Sequence, residues 1–309
     1  MKFIIHQGSR QGPRPYNQDR LAYSYSKEAV LLVIADGMGG HRHGEVAAQL
    51  AVNTLTDAFQ TRATPLLDDP QQFLSEHIMQ VHRAIDTVMA LDELLESPRT
   101  TIVAAVLQHN KLYCAHVGDS RLYHFRNGRQ VYRTEDHSIV QMLYRRGQLD
   151  KQHMREHPDR NKIYNCLGGD KTPQIELAPP QPLRDGDTVL LCTDGLWSAL
   201  SDEEIKGILH ANPVNDSVPK LLDMAEALSE KDGDNISAIG LQWGERRSDA
   251  ENSLAISTIT MALDATTTIM NPLNPYSPLP NEGDDQDLTD DEIERAIAEI
   301  QAAILKTQR

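Results

Sequence analysis

The chain has 309 residues, 39% of them hydrophobic, which suffices for one large domain or two modest ones around a sizeable core. Its formal charge of −15 excludes the basic footprint that non-specific nucleic-acid binding needs. No segment reaches the roughly 20 apolar residues of a membrane span, and the opening apolar run is too short for a secretion signal. Three scattered cysteines, Cys114, Cys166 and Cys192, lack pairing or CxxC spacing and read as reduced thiols of a soluble cytoplasmic protein.

Lys2 to His6 and Arg20 to Tyr25 read as strands flanking a loop from Ser9 to Asp19 that carries two prolines and a glycine. Val30 to Ile34 is a short β-branched and apolar run, a buried strand that delivers Asp36 to glycines at 37, 39 and 40. Taken alone, it is an ordinary strand ending in an Asp-Gly turn. Helical period follows: Val46, Leu50, Ala51, Leu55 and Phe59 form one stripe, and Phe73, Ile78, Val81, Ile85, Val88 and Met89 a second, extended by Leu91, Leu94 and Leu95. Strands return at Thr101 to Leu107, Lys111 to Val117, Arg121 to Phe125 and Gln130 to Arg133, with Asn127-Gly128 as a hairpin turn; this predicts an antiparallel meander. Residues 136–170, rich in His, Arg and Asp, read as an exposed insertion with a short helix near Ile139 to Leu143. Asp187 to Asp194 repeats the opening theme of a buried strand ending in an acid. Ser201 and Glu204 form a capping box ahead of one helix, Val218 to Leu228 gives another, and Asn235 to Trp243 a last strand.

Blocks of strands and helices in this order predict an α+β layered domain over residues 1–245. From Arg246 onward there are twelve acids against five bases, and the Pro-rich stretch Asn271 to Pro280 followed by acids to Asp287 predicts a flexible linker over 246–288. Thr289 to Glu292 caps a helix over 289–309 whose Ile293, Ile297, Ile300 and Ile304 make one apolar seam. The sequence leaves open whether that helix docks on its own domain, binds a partner or self-associates.

Asp19, Asp36, Asp119, Asp194 and Asp234 all fall at strand ends or turns. Gathered in one place they would repel by about 1 to 4 kcal/mol per pair at 4 Å, so hard divalent cations with oxygen ligands, Mg²⁺ or Mn²⁺, are the natural counter-charge. Two such ions would hold a bridging hydroxide able to attack phosphorus in line. Arg14, in the same loop as Asp19, carries a fork able to grip two phosphoryl oxygens, though an isolated loop arginine is as readily a solvated one.

Seven motifs in order carry a resemblance: Arg14-Pro15-Tyr16-Asn17-Gln18-Asp19, Asp36-Gly37-Met38-Gly39-Gly40-His41, Thr100-Thr101, Gly118-Asp119-Ser120-Arg121, Asp136-His137-Ser138, Thr193-Asp194-Gly195-Leu196-Trp197 and Gly233-Asp234-Asn235-Ile236-Ser237. Over about residues 3–243 the chain resembles the metal-dependent protein phosphatases, the type 2C serine/threonine family, most closely the bacterial branch. The resemblance implies a four-layer αββα sandwich of two mainly antiparallel sheets flanked by helices, with a C-terminal extension and two metals at one end. It implies that Asp36 bridges both ions, Gly37 lends its carbonyl to one, Asp194 and Asp234 complete the other, and Asp19 acts through water. Asp119 with Asp194 would hold a third, looser ion, and Arg14 would bind the substrate phosphate. Residues 136–170 correspond to the family's flap. The implied substrates are phosphoserine and phosphothreonine proteins, with a serine/threonine kinase as the opposing partner. Gln18 stands where many members have Glu, implying weaker metal binding. Met38 stands where animal relatives carry a His proposed as proton donor, which leaves His41 as the candidate substrate contact. Arg99 replaces the small residue usual before the paired threonines.

Overall fold

The computed structural model describes residues 1–38, 44–91, 98–229, 233–244 and 256–271. Strands β1 (Lys2–Arg10), β2 (Asp19–Tyr25) and β3 (Ala29–Asp36) precede helices α1 (Gly44–Arg62) and α2 (Pro70–Leu91). There follow β4 (Ile102–Gln108), β5 (Lys111–Val117), β6 (Arg121–Arg126), β7 (Arg129–Arg133), α3 (Ile139–Arg145), β8 (Glu176–Leu177), β9 (Gln181–Pro182) and β10 (Thr188–Cys192). Helices α4 (Asp194–Ala199), α5 (Asp202–Ala211) and α6 (Val214–Leu228) lead to β11 (Ile236–Trp243) and two short strands, β12 (Ile256–Ser257) and β13 (Thr267–Met270).

Two antiparallel sheets result, one in the order β12-β1-β11-β10-β6-β7 and the other β13-β2-β3-β4-β5-β8, with β9 also on β5. The run Val30 to Ala35 is apolar at every position because both of its faces are covered. Val30, Leu32 and Ile34 pack between the sheets with Phe3, Val103, Leu122, Val189, Ile239 and Leu241. Leu31, Val33 and Ala35 face outward onto Leu50, Leu55 and Phe59 of α1 and Ile78 and Val81 of α2. On the far side Tyr123, Leu190 and Ala238 meet Leu196, Ile205, Leu209, Leu221 and Leu222 of α4 to α6. The layers therefore stack helix, sheet, sheet, helix, as expected. The Ser201 capping box forms, each partner satisfying the other's first-turn group.

Two features differ from the sequence-based expectation. The meander is split: β4 and β5 pair in one sheet, β6 and β7 in the other. The chain changes sheets at Gly118, whose φ of 104° only glycine adopts readily and where a Cβ would sit 2.6 Å from the Thr101 side chain. Within the stretch expected to be a flexible linker, β12 pairs with β1 and β13 with β2, so the extension closes one edge of each sheet. Thr258 is fully buried there, its hydroxyl donating to the carbonyls of Met1 and Lys27. Short Thr- and Ile-bearing edge strands suit a half-buried pleat, but they are masked by the Ser, Thr and acid-rich average around them. The expected helix over 289–309, and Leu94 and Leu95, lie outside the described residues.

Candidate metal centre and catalytic cleft

Strand parity builds the site. Leu21 and Tyr23 of β2, like Val30, Leu32 and Ile34 of β3, point between the sheets. Continuing each alternation brings Asp19 and Asp36 to the same inter-sheet end, and the register sets them directly opposite one another. Like charges across an antiparallel pair are destabilising, so the fold spends stability to bring them together. Asp119 arrives on the turn where the chain changes sheets. Asp194 begins α4 just after β10, and Asp234 lies two residues before β11, the strand paired with β10. A cleft of about 340 Å³ is lined by Asp36, Gly37, Asp119, Asp194 and Asp234, with Arg14, Asn161 and Ile163 at its mouth. Asp19 lies behind it, 4% exposed. Gly37 is required by a close approach: a Cβ would stand 2.3 Å from the carbonyl oxygen of Gly44.

The electrostatics follow from this crowding. Desolvation, reinforced by the charges of Asp19, Asp194, Asp119 and Asp234, pushes the Asp36 carboxyl well above its ordinary range. Asp194 is raised for the same reasons, with Asp119, Asp234 and Asp19 as the neighbouring charges. Burial lifts Asp19 to about 7 despite hydrogen bonds from Ser237 and Thr193. Burial and the charge of Asp136 lift Asp119 to about 7 against the pull of Arg121. Oδ1 of Asp19 and Oδ1 of Asp194 are buried without a hydrogen-bond partner. Orphaned buried carboxylate oxygens are costly, and a cation is what would satisfy them. The lining offers carboxylates and the Gly37 carbonyl, with neither His nor Cys among the described residues. Such a donor set fits Mg²⁺ or Mn²⁺ and not zinc.

The structure thus brings Asp36, Gly37, Asp119, Asp194 and Asp234 together in one cleft, with Asp19 opposite Asp36 in the strand pair. Arg14 is at the mouth too: its Nη2 donates to Asp234 Oδ2 at 2.8 Å and its Nε to the Gly233 carbonyl at 3.0 Å. His41 lies outside the described residues. Gln18 donates from Nε2 to Glu45 Oε2 at 3.0 Å, so a carboxylate absent at position 18 is present one contact away at the start of α1. The Arg99 guanidinium lies over Gly169, and its carbonyl accepts from the Met38 amide at 3.0 Å.

Supporting residues went unsingled in the sequence. Asn235 accepts from the Gln18 amide at 2.8 Å and donates to the carbonyls of Gln11 and Tyr16, which fixes the loop carrying Arg14. Thr193 donates to Asp19 Oδ2 at 2.9 Å and accepts from the Ser237 amide. Trp197 Nε1 donates to the Asp119 carbonyl at 3.0 Å; Arg121 lies 3.7 Å over its ring and is held by both oxygens of Asp136. Their sequence signal was a place in the quoted motifs, within three residues of the acids, with no role attached to it.

Solved structures similar to this fold include serine/threonine phosphatases. The Streptococcus agalactiae enzyme superposes with a TM-score of 0.70 at 29% identity, covering 78% of this chain and 99% of its own. Mycobacterium tuberculosis PstP/Ppp gives a TM-score of 0.67 at 30% identity, covering 80% and 100%. In sequence, serine/threonine phosphatase stp of Listeria monocytogenes is 34% identical over 198 residues, 63% of this chain and 78% of that protein. The chain belongs to the protein phosphatase 2C family, whose profile matches residues 12–237.

Proposed function

We propose that this serine/threonine protein phosphatase hydrolyses phosphoserine and phosphothreonine at the acidic cleft with the help of Mn²⁺ or Mg²⁺. The observation that carries the reading is the convergence of four carboxylates on one cleft beside an arginine, with a fifth, Asp19, paired against Asp36 behind it, two of the five having orphaned buried oxygens. Asp36 and the Gly37 carbonyl, with Asp194 and Asp234, would hold the core ions, Asp19 would act through water, and Asp119 with Asp194 would serve a third. A solved PstP catalytic domain, 29% identical with a TM-score of 0.66, is in complex with two manganese ions. When bound, such ions supply Lewis acidity and a water activated as nucleophile at neutral pH. The protein's own part is to orient. Arg14 turns from Asp234 to hold two phosphoryl oxygens in line, and its fork geometry suits that task. The acids hold the charge that draws cations to the cleft, and the loop fixed by Asn235 keeps Arg14 over it.

The reading takes residues 1–245 as the phosphatase domain and phosphoproteins, with an opposing serine/threonine kinase, as its partners. A cytoplasmic location belongs to it, since Cys114, Cys166 and Cys192 are free thiols suited to reducing surroundings. No helix among the described residues is long and apolar enough to cross a membrane. The test is turnover of a phosphothreonine peptide and of p-nitrophenyl phosphate with and without Mn²⁺. Activity that ignores divalent ions, or is absent with all of them, overturns the reading.

A further inference from the structure

His116, His137 and Glu176 stand together beside the cleft, their ligating atoms within 4.8 Å of one another. His and carboxylate at this spacing invite a zinc assignment, but the rings forbid it. They stack at 4.6 Å with planes only 21° apart, so their in-plane lone pairs cannot meet at one ion. The hydrogen bonds also give the second ring another task. A backbone N–H can only donate, and the Gly118 amide donates to His137 Nδ1 at 3.1 Å. The proton therefore resides on Nε2, which faces Glu176 Oε2 at 3.2 Å. Asn165 adds a second donor to Nδ1: its Oδ1 accepts from the Gln174 amide, so the atom 2.7 Å from the ring is Nδ2.

These contacts join three parts of the chain. Gly118 precedes Asp119 in the cleft. His137 and Asn165 are the two roots of the flap, paired through Tyr164 N to His137 O at 2.9 Å and Ile139 N to Lys162 O at 2.8 Å. His137 N in turn donates to Gly118 O at 3.0 Å, so this residue and Gly118 are doubly bonded. Just inside the roots, Asn161 and Ile163 line the mouth of the cleft. Farther out, Arg155 Nη2 donates to the Leu200 carbonyl at 2.9 Å, a separate restraint at the flap's distal end.

We propose that His137 is a positioning residue for dephosphorylation: through the acceptor at Nδ1 it ties both flap roots to the turn carrying Asp119 and so sets Asn161 and Ile163 against a bound phosphoprotein. The substrate part rests on the phosphatase reading above; the tie itself does not. A neutral ring with a bare Nδ1 is the chemical requirement, and packing of the ring on His116 and Tyr164 is secondary.

Two substitutions separate acceptor from packing. His137→Phe keeps a flat ring and removes the acceptor; His137→Asn loses the ring and returns an oxygen close to the Nδ1 position. The readouts are the rate of tryptic cleavage after Arg145, Arg146, Arg155 and Arg160 in the folded full-length protein, and kcat and KM on a phosphothreonine peptide and on p-nitrophenyl phosphate. His137→Phe should raise flap cleavage and peptide KM by about tenfold, the size of a lost hydrogen-bond pair, with kcat/KM on p-nitrophenyl phosphate within about twofold. His137→Asn should stay within about twofold of the unsubstituted protein in every readout. A Phe variant that behaves like the parent overturns the proposal, since a flat ring alone then suffices, as do Phe and Asn variants impaired alike, since a returned acceptor then does not restore the tie. Failure of the phosphatase reading is distinguished by the parent's having no turnover on either substrate, while the cleavage rates still judge the tie.

Discussion

Asp19 and Asp187 are equally buried, 4% and 1% exposed, in the same sandwich, yet their carboxyls move in opposite directions. Burial alone would raise Asp187, but hydrogen bonds from His124 and Arg126 and from the Arg184 amide overcome it and bring the group down to about 2. Arg126 grips both oxygens at 2.8 and 2.7 Å, and His124 Nε2 stands 2.9 Å away. Asp19 has hydroxyl donors and an orphaned oxygen, faces Asp36 across the strand pair, and is pushed up to about 7. One acid is neutralised by partners the chain itself supplies; the other belongs to a group for which the chain supplies no counter-charge, so its carboxyl holds its proton instead. A protein selected for stability alone would treat both alike, so the difference marks where a ligand is meant to complete the structure.

The contrast can be broken by substitution. Asp36→Asn should reduce phosphopeptide turnover to the level of chelator-treated protein while leaving the chelated protein's melting temperature unchanged or higher, because a repelling charge is gone; parallel activity and melting curves check it. Asp187→Ala should do the reverse. Stranding His124 and Arg126 should cost about 3 to 5 kcal/mol in urea unfolding, with specific activity of the folded fraction retained.

A smaller effect sharpens the comparison through pH. Asp19 and Asp119 keep their protons up to about 7 in the folded chain, against about 4 when unfolded. Between those values the folded state binds more protons, so their contribution to stability is complete below about pH 4 and is lost as pH rises through about 7. In chelator, urea midpoints corrected for the other acids with Asp19→Asn as reference should therefore fall across that window. With saturating Mn²⁺ the fall should vanish, since a cation replaces the protons.

Much of this arrangement was legible beforehand because the acids sit where local pattern breaks. A β-branched run ending in Asp36 and glycines, or Asp187 to Asp194 ending in another acid, announces a strand end. That both ends lie together is a matter of register, which only the ordered motif set conveyed. The change of sheet at Gly118 was not legible, because a turn residue looks the same whether the next strand pairs with the last or crosses over. Asp187 itself was passed over as the start of a strand; its partners His124 and Arg126 are about 60 residues away in sequence. The edge strands β12 and β13 are too short for their alternation to stand out from the polar segment around them.

The central claim, that the acidic cleft is a cation site left unsatisfied by the chain, is tested most directly by calorimetric titration of Mn²⁺ into the full-length protein at pH 7 in two buffers of different ionisation enthalpy. The account predicts saturable uptake with proton release, as carboxyls held near pH 7 give up their protons to the metal, and loss of that uptake in Asp36→Asn but not in Asp187→Ala. Absence of Mn²⁺ uptake, or uptake that Asp36→Asn leaves unchanged, would contradict it.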